Sequence, residues 1–415
     1  MGLFKKKMSH ENDFSYLDQK NIYFDGACQS LRPEPVIESL EKYYKEFNSC
    51  GERVKYKWGK ITDGKVNATR EKVIDYLKLK KKDYFVSFTL NTTYGLNLLL
   101  SQFNVKRAKT KYIVTSDIEH NSPFLSSISF AKKNNVKRKV IARNTDGSVN
   151  LKDIPKNSLV VLNAASNIDG RTLKNIKEVI KYVHENGGYI IIDAAQAMAH
   201  SKEVLEKTEP DAICFSAHKM YAPSLGVMVV RKSFVDFIDT SFIGGGMVDD
   251  VNLDTYLLSA ENPAHLYTKF ESGLQAWGEI IALGTAIDWL ESLPKEKKKA
   301  LEENEKKIFD FFDKNGIVGD IDREKEKRDD IGKKLHLLNH EPTSTLSFYV
   351  EGVDSHLLGE ALAGEGIMAR TGYFCVHYYL DHKMHFPPLV RISLGYQNTA
   401  EQVDKLIEEL TKLLD

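Results

Sequence analysis

The chain has 415 residues, of which 42% are apolar and 28% charged; this excludes a miniature scaffold and a largely disordered chain, and allows two or three domains or one large α/β domain with an appendage. Lys and Arg together number 58, as do Asp and Glu, so no net field draws the molecule to nucleic acid or an anionic membrane, and any ligand must be held by local chemistry. The four cysteines, Cys28, Cys50, Cys214 and Cys375, are scattered, with no C-x-x-C pair and no histidine at ligand spacing, so neither a zinc site nor a disulfide framework is expected.

Residues 1–7 lack the apolar core of a secretory signal, Lys6 stands where a myristoylation motif has Ser or Thr, and no apolar run reaches membrane-spanning length. A cytoplasmic protein without membrane attachment is expected. A short strand at 22–26 and a helix over 36–47 open the ordered pattern. Strand-like runs then recur at 84–88, 112–115, 138–142, 159–163, 189–193, 212–215 and 226–230, mostly separated by amphipathic segments such as 173–183. Such alternation predicts a mostly parallel sheet with helices on both faces. Near 285 the pattern changes. A charge-dense helix over 295–307 reads as a solvated face, and strands at 345–350, 367–370 and 389–394, a helix at 355–363 and a last helix from 400 make a smaller α+β unit. Residues 323–334 are expected to form a mobile loop.

In an open parallel sheet, ligands sit beyond the carboxyl ends of the strands, and those ends are chemically loaded here. The 189–193 run ends in Asp193, followed by Gln196; the 212–215 run leads into Ser216, His218 and Lys219; the 159–163 run leads to Asn167; the 112–115 run leads to His120; Thr92 and Thr93 precede an apolar helix. Taken singly, each has an ordinary role as a cap, a turn former or a solvated side chain. Together and in order they meet the needs of pyridoxal 5'-phosphate: a lysine for the Schiff base, a carboxylate for the pyridinium nitrogen, and donors for the phosphate. No G-x-G-x-x-G follows a strand, and Gly244, Gly245 and Gly246 lack its spacing, which disfavours a dinucleotide-binding oxidoreductase.

Residues 91–97, Glu119 with His120, Ser166 with Asn167, residues 193–196 and 216–219 resemble the class V aminotransferase branch of the fold-type I pyridoxal phosphate enzymes. Within it, residues 370–375 and 391–399 resemble cysteine desulfurases of the SufS and selenocysteine lyase type. The resemblance implies an N-terminal segment (1–21) packing with the small domain, a large cofactor domain (22–283), a small C-terminal domain (284–415) carrying Cys375 and Arg391, and a homodimer. It implies that Lys219 carries the cofactor, that His120 stacks on the ring and handles protons, and that Asp193 pairs with the pyridinium. Gln196 and Asn167 would touch the ring oxygen, Asn167 also facing the substrate, while Thr92, Thr93, Ser216 and His218 would take the phosphate. Arg391 would clamp the substrate carboxylate, with Arg370 adding positive charge. Cys375, on a short restrained loop, would accept sulfur from L-cysteine, release L-alanine, and pass the sulfur to an acceptor protein for iron–sulfur cluster or thio-cofactor assembly. The alternatives are another class V reaction (selenocysteine lyase, kynureninase-like cleavage or amino transfer) in which Cys375 is incidental, and a cofactor-binding scaffold or sulfur-carrier partner without turnover. The sequence departs from the pattern at Tyr94, Tyr373, Phe374, His377 and Tyr378. It departs also at Leu274, where a threonine would reach the partner subunit's phosphate. Cys214, inside an apolar run, is expected in the core.

Overall fold

The computed structural model describes residue 10 and residues 13–18, 20–52, 54–319 and 335–412; residues 1–7 and the loop expected at 323–334 lie outside the described residues. In chain order the first part contains β1 (Ile22–Tyr23), α1 (Glu34–Glu46), α2 (Lys57–Tyr76), β2 (Tyr84–Thr89), α3 (Thr92–Gln102), β3 (Tyr112–Ser116), α4 (Asn121–Asn134), β4 (Lys137–Ile141) and β5 (Ser158–Asn163). It continues through α5 (Ile176–Glu185), β6 (Tyr189–Asp193), α6 (Ala197–His200), β7 (Ala212–Ser216), β8 (Gly226–Arg231), a hairpin of β9 (Val248–Val251) and β10 (Tyr256–Leu258), and α7 (Trp277–Ser292). The second part contains α8 (Lys295–Asn315), β11 (Gly316–Val318), β12 (Leu335–Leu337), β13 (Thr345–Val350), α9 (Ser355–Gly364), β14 (Ile367–Met368), β15 (Arg370–Gly372), β16 (Leu389–Ser393) and α10 (Ala400–Thr411).

Seven strands form the central sheet in the order β2-β8-β7-β6-β5-β3-β4. Only β8 runs against its neighbours, and the remaining pairs are parallel. The inner strands are apolar on both faces because both faces are covered. Val160, Leu162, Ile190 and Ile192 pack with α2, α5 and α7 on one side. Leu159, Val161, Ile191 and Cys214 pack with Leu96 and Leu99 of α3 and Phe130 of α4 on the other. Cys214 is fully buried, and burial pushes its thiol well up.

The second sheet runs β11-β12-β13-β16-β15 and shares a core with α8, α9 and α10. The strand predicted at 367–370 is divided: β14 pairs in parallel with β1, while β15 joins β16. The apolar residues of α7 pack with the first core, while Leu301, Ile308 and Phe312 of α8 belong to the second, together with Ile22 and Phe24. The start of the described chain meets α7 and α8, with Lys297 Nζ donating to the His10 carbonyl at 2.9 Å. The Trp289 indole N–H of α7 donates to Asp13 at 2.9 Å, and Phe14 meets the edge of the same ring. A buried indole needs an acceptor, and Asp13 supplies it. Among the described residues, no helix is long and apolar enough to cross a membrane.

Candidate active site

The carboxyl ends of β2, β3, β5, β6 and β7 open on a cavity of about 300 Å³, closed from the other side by β15, β16 and the loop between them. The lining includes all twelve side chains singled out from the sequence: Thr92, Thr93, His120 and Asn167; Asp193, Gln196, Ser216 and His218; Lys219, Arg370, Cys375 and Arg391.

The β2–α3 turn is built by Asn91, whose side chain caps α3 by accepting from the Tyr94 N–H at 2.9 Å. Thr92 follows as the first helical residue. Its N–H donates to Ser216 Oγ at 2.9 Å, and its hydroxyl lies 2.6 Å from the same oxygen. Thr93 and Ser122 form a second hydroxyl pair at 2.6 Å. These groups surround a helix N-terminus, where N–H groups and the helix dipole favour an anion.

His120 caps α4: its Nδ1 accepts from the Ser122 N–H at 3.0 Å, so the ring proton sits on Nε2. Burial, with the Lys219 and Arg391 cations, pushes its pKa down to about 4, and the imidazole is neutral. His218 is likewise lowered to about 4, chiefly by burial. Lys219 is pushed down to about 8 by burial, against the pull of Asp193. Asp193 is itself raised by burial, and the Ala195 N–H, donating to it at 3.0 Å, opposes that rise. A buried carboxylate and a buried amine thus face one cavity, each short of solvation. Gln196 donates to the Ala27 carbonyl at 2.8 Å.

Cys375 is exposed and lies between two residues anchored in a third apolar cluster, Phe374 and Val376. Phe374 and Cys375 are both left-handed, with φ of 47° and 59°, a conformation that costs L residues energy and persists only when neighbours impose it. Here the Asn167 amide donates to the Phe374 carbonyl at 2.7 Å, and the Asn121 N–H donates to the Cys375 carbonyl at 2.6 Å. The Phe374 ring also covers Arg391, 4.8 Å from its guanidinium carbon.

Sequence reasoning missed Asp25, Cys28, Ser122 and the packing role of Phe374. Asp25 accepts from Arg391 Nη2 at 3.1 Å and from Arg370 Nη1 at 3.2 Å, so one carboxylate joins the two arginines. Arg391 also donates to the Asn167 carbonyl at 3.0 Å, while its buried Nε has no partner. Part of the signal was present, since Asp25 and Cys28 follow the short strand β1 as Ala195 and Gln196 follow β6. Leu274 is 78% exposed and is not among the residues that line this cavity.

The same architecture recurs among solved structures, and it is that of a fold-type I pyridoxal phosphate enzyme. A cysteine desulfurase from Thermococcus onnurineus superposes with a TM-score of 0.81 at 25% identity, covering 95% of each chain. The cysteine desulfurase CsdA from Escherichia coli gives 0.82 at 22% identity, covering 97% of this chain and 96% of that one. Residues 22–406 match the family model for class-V aminotransferases, and the chain belongs to that family. Curated relatives include probable cysteine desulfurases from Pyrococcus abyssi, 29% identical over 96% of both chains, and from Borreliella burgdorferi, 27% identical over 97% of this chain and 95% of the other. Family membership implies pyridoxal phosphate. The residues present fit it: paired hydroxyls at the α3 N-terminus suit a phosphate, Asp193 suits a protonated ring nitrogen, and Lys219 is an amine whose neutral form burial favours.

Proposed function

We propose that this chain is a pyridoxal phosphate-dependent cysteine desulfurase, converting L-cysteine to L-alanine and leaving the sulfur as a persulfide on Cys375 for an acceptor protein. The observation that carries this reading is the convergence of Lys219, Asp193, Arg391 and Cys375 on one cavity. The names of the curated relatives support it.

When bound, pyridoxal phosphate supplies an electron sink for negative charge at the α-carbon of an amino acid. Thr92, Thr93, Ser216 and His218 would hold its phosphate through hydroxyls, N–H groups and a neutral imidazole. Asp193 would keep a proton on the ring nitrogen, Gln196 and Asn167 would hydrogen-bond the ring oxygen, and neutral His120 would offer a flat face for stacking. Arg391, buried and desolvated, binds the substrate carboxylate with Arg370 beside it; because Asp25 already engages both guanidiniums, the substrate shares these donors with Asp25. Lys219 Nζ takes the α-proton, a role its lowered basicity serves near neutral pH. Cys375 Sγ, as thiolate, attacks the substrate sulfur, and the carbon–sulfur bond breaks with its electron pair left on the β-carbon; that carbon takes one proton, and Lys219 returns the other to the α-carbon, which completes alanine. The restrained loop brings an acceptor to the cavity mouth rather than letting the sulfur swing out to it.

A homodimer in the cytoplasm, supplying sulfur for iron–sulfur clusters or thio-cofactors, accompanies this reading. Assay of alanine from L-cysteine tests it. The wild type forms alanine, and Cys375→Ala loses on the order of 10²-fold or more of that rate in the presence of acceptor thiol. Full turnover by the variant would instead place the chain among class V enzymes that do not use this thiol.

A further inference from the structure

A second thiol shares the cavity. Cys28 lines it together with Cys375 and Lys219, and Arg370 Nη1 donates to the Cys28 sulfur at 2.6 Å. The backbone that carries it is fixed from both sheets. The Ala27 N–H donates to Ser393 Oγ of β16 at 2.9 Å, the Ala27 carbonyl accepts from Gln196 beyond β6, and the Cys28 N–H donates to the Asp25 carbonyl at 3.0 Å. Arg370 lies five residues before Cys375; burial opposes its charge, yet Cys28, Asp25 and Cys375 together hold its pKa above the ordinary value. Both sulfurs also act on the Lys219 amine. The other two cysteines differ: Cys214 is sealed in the core, and Cys50 is exposed away from this cavity.

Thiolate attack on a sulfur–sulfur bond is helped by a nearby cation and needs access to the sulfur attacked; Cys28 has Arg370 in contact and opens on the same cavity as Cys375. Resting on the function proposed above, we infer that Cys28 is a second sulfur-carrying residue, which takes the terminal sulfur from the Cys375 persulfide. The Cys28 thiolate attacks that terminal sulfur. A sulfur–sulfur bond forms on Cys28 as the one on Cys375 breaks, the electron pair stays on Cys375 Sγ, and the terminal proton travels with its sulfur. One persulfide and one thiolate become one thiolate and one persulfide, with no net oxidation or reduction. Cys375 is thereby free for a second substrate while the first sulfur is still held in the cavity.

The holoenzyme is given excess L-cysteine without reductant or acceptor, alkylated and digested, with bound sulfane sulfur located by peptide mass spectrometry and counted by cyanolysis. The expected result is sulfane sulfur on both Cys375 and Cys28, about two per chain, falling to about one, on Cys375 alone, in Cys28→Ser. Sulfane sulfur on Cys375 with Cys28 bare, or loading of Cys50 equal to that of Cys28, overturns the relay and leaves the desulfurase reading intact. Unchanged alanine formation in Cys375→Ser overturns the desulfurase reading, and the relay with it. If Cys28→Ser does not fold, the wild-type peptide map decides alone.

Discussion

Lys219 differs from the surface lysines by what surrounds it. Burial withdraws solvent from its ammonium more than Asp193 restores, which lowers its pKa from 10.5 to about 8. The neutral amine therefore gains as pH rises and is complete only above that value; at pH 7 it amounts to roughly one-tenth of the molecules, against less than about one in a thousand for an ordinary lysine. Trace acetic anhydride labelling of the cofactor-free protein should show Lys219 reactivity levelling off just above pH 8, while exposed lysines keep gaining toward 10.5. A Lys219 curve that rises alongside the others would contradict the burial argument. Asp25 poses the complementary problem, being shared by buried Arg391 and half-exposed Arg370. Asp25→Asn leaves the Arg391 charge buried with only a carbonyl and an amide to face, and should lower stability by about 3 kcal/mol. Urea unfolding measures this, and the loss should shrink when Arg391→Met is added, because the uncompensated charge is then gone.

At the scale of elements, the phosphate-side turn depends on contacts from three directions. Gly226 begins β8 against it: a Cβ there would stand 2.2 Å from Thr89 Oγ1 and 2.5 Å from the Asn91 nitrogen. Backbone cannot yield as a flexible side chain can, so Gly226→Ala should cost about 1–3 kcal/mol and displace the first turn of α3. Thermal unfolding together with pyridoxal phosphate titration should show both losses, whereas a loss of stability with affinity unchanged would mean that the turn stays in place. Behind the turn, Arg70 of α2 forms a two-pronged pair with Glu271 at 2.7 Å for each contact, and Glu271 also accepts from the Phe88 N–H of β2 at 2.7 Å. Arg70 is further covered by the Tyr267 ring at 4.0 Å. Glu271→Ala leaves a buried guanidinium and a buried strand N–H unmet, and should destabilise by about 3–5 kcal/mol. Urea unfolding is the check, and a change below 1 kcal/mol would mean that water replaces the carboxylate.

At the scale of the molecule, the small domain is tied to the large one at the cavity itself. β1 adds to β14, and Asp25, two residues beyond it, engages arginines of β15 and β16. The large domain in turn leaves apolar surface open: Val251, Leu253, Tyr256 and Leu257 of the β9–β10 hairpin, and Leu274 nearby in sequence, are all exposed, Leu253 at 97%. Soluble monomers rarely display such a group of side chains, and the proposed homodimer would cover it. Sedimentation should give a dimer for the wild type, and Leu253→Asp should shift the equilibrium toward monomer. A wild-type monomer at micromolar concentration would contradict the proposed assembly.

The strand ends of the large sheet were legible because each is a local pattern, an apolar run followed by a polar break, and the fold places successive breaks side by side. Thr92, Asn167, Asp193 and Lys219 needed only that rule. Helix α2 was not legible, because Gly59, Thr62, Thr69 and Arg70 interrupt the buried face that Val66, Val73, Ile74 and Tyr76 complete, and the exposed β9–β10 hairpin has no buried face to give it a period. What joins Asp25 and Cys28 to Arg370 and Arg391 was decided only in three dimensions. These residues lie more than three hundred positions apart, and the attraction of a carboxylate or a sulfur for a guanidinium leaves no trace in either local sequence. Local apolar periodicity set which residues would face the sheet ends; chain closure through β1 and β14 set which charges and which thiols would meet there.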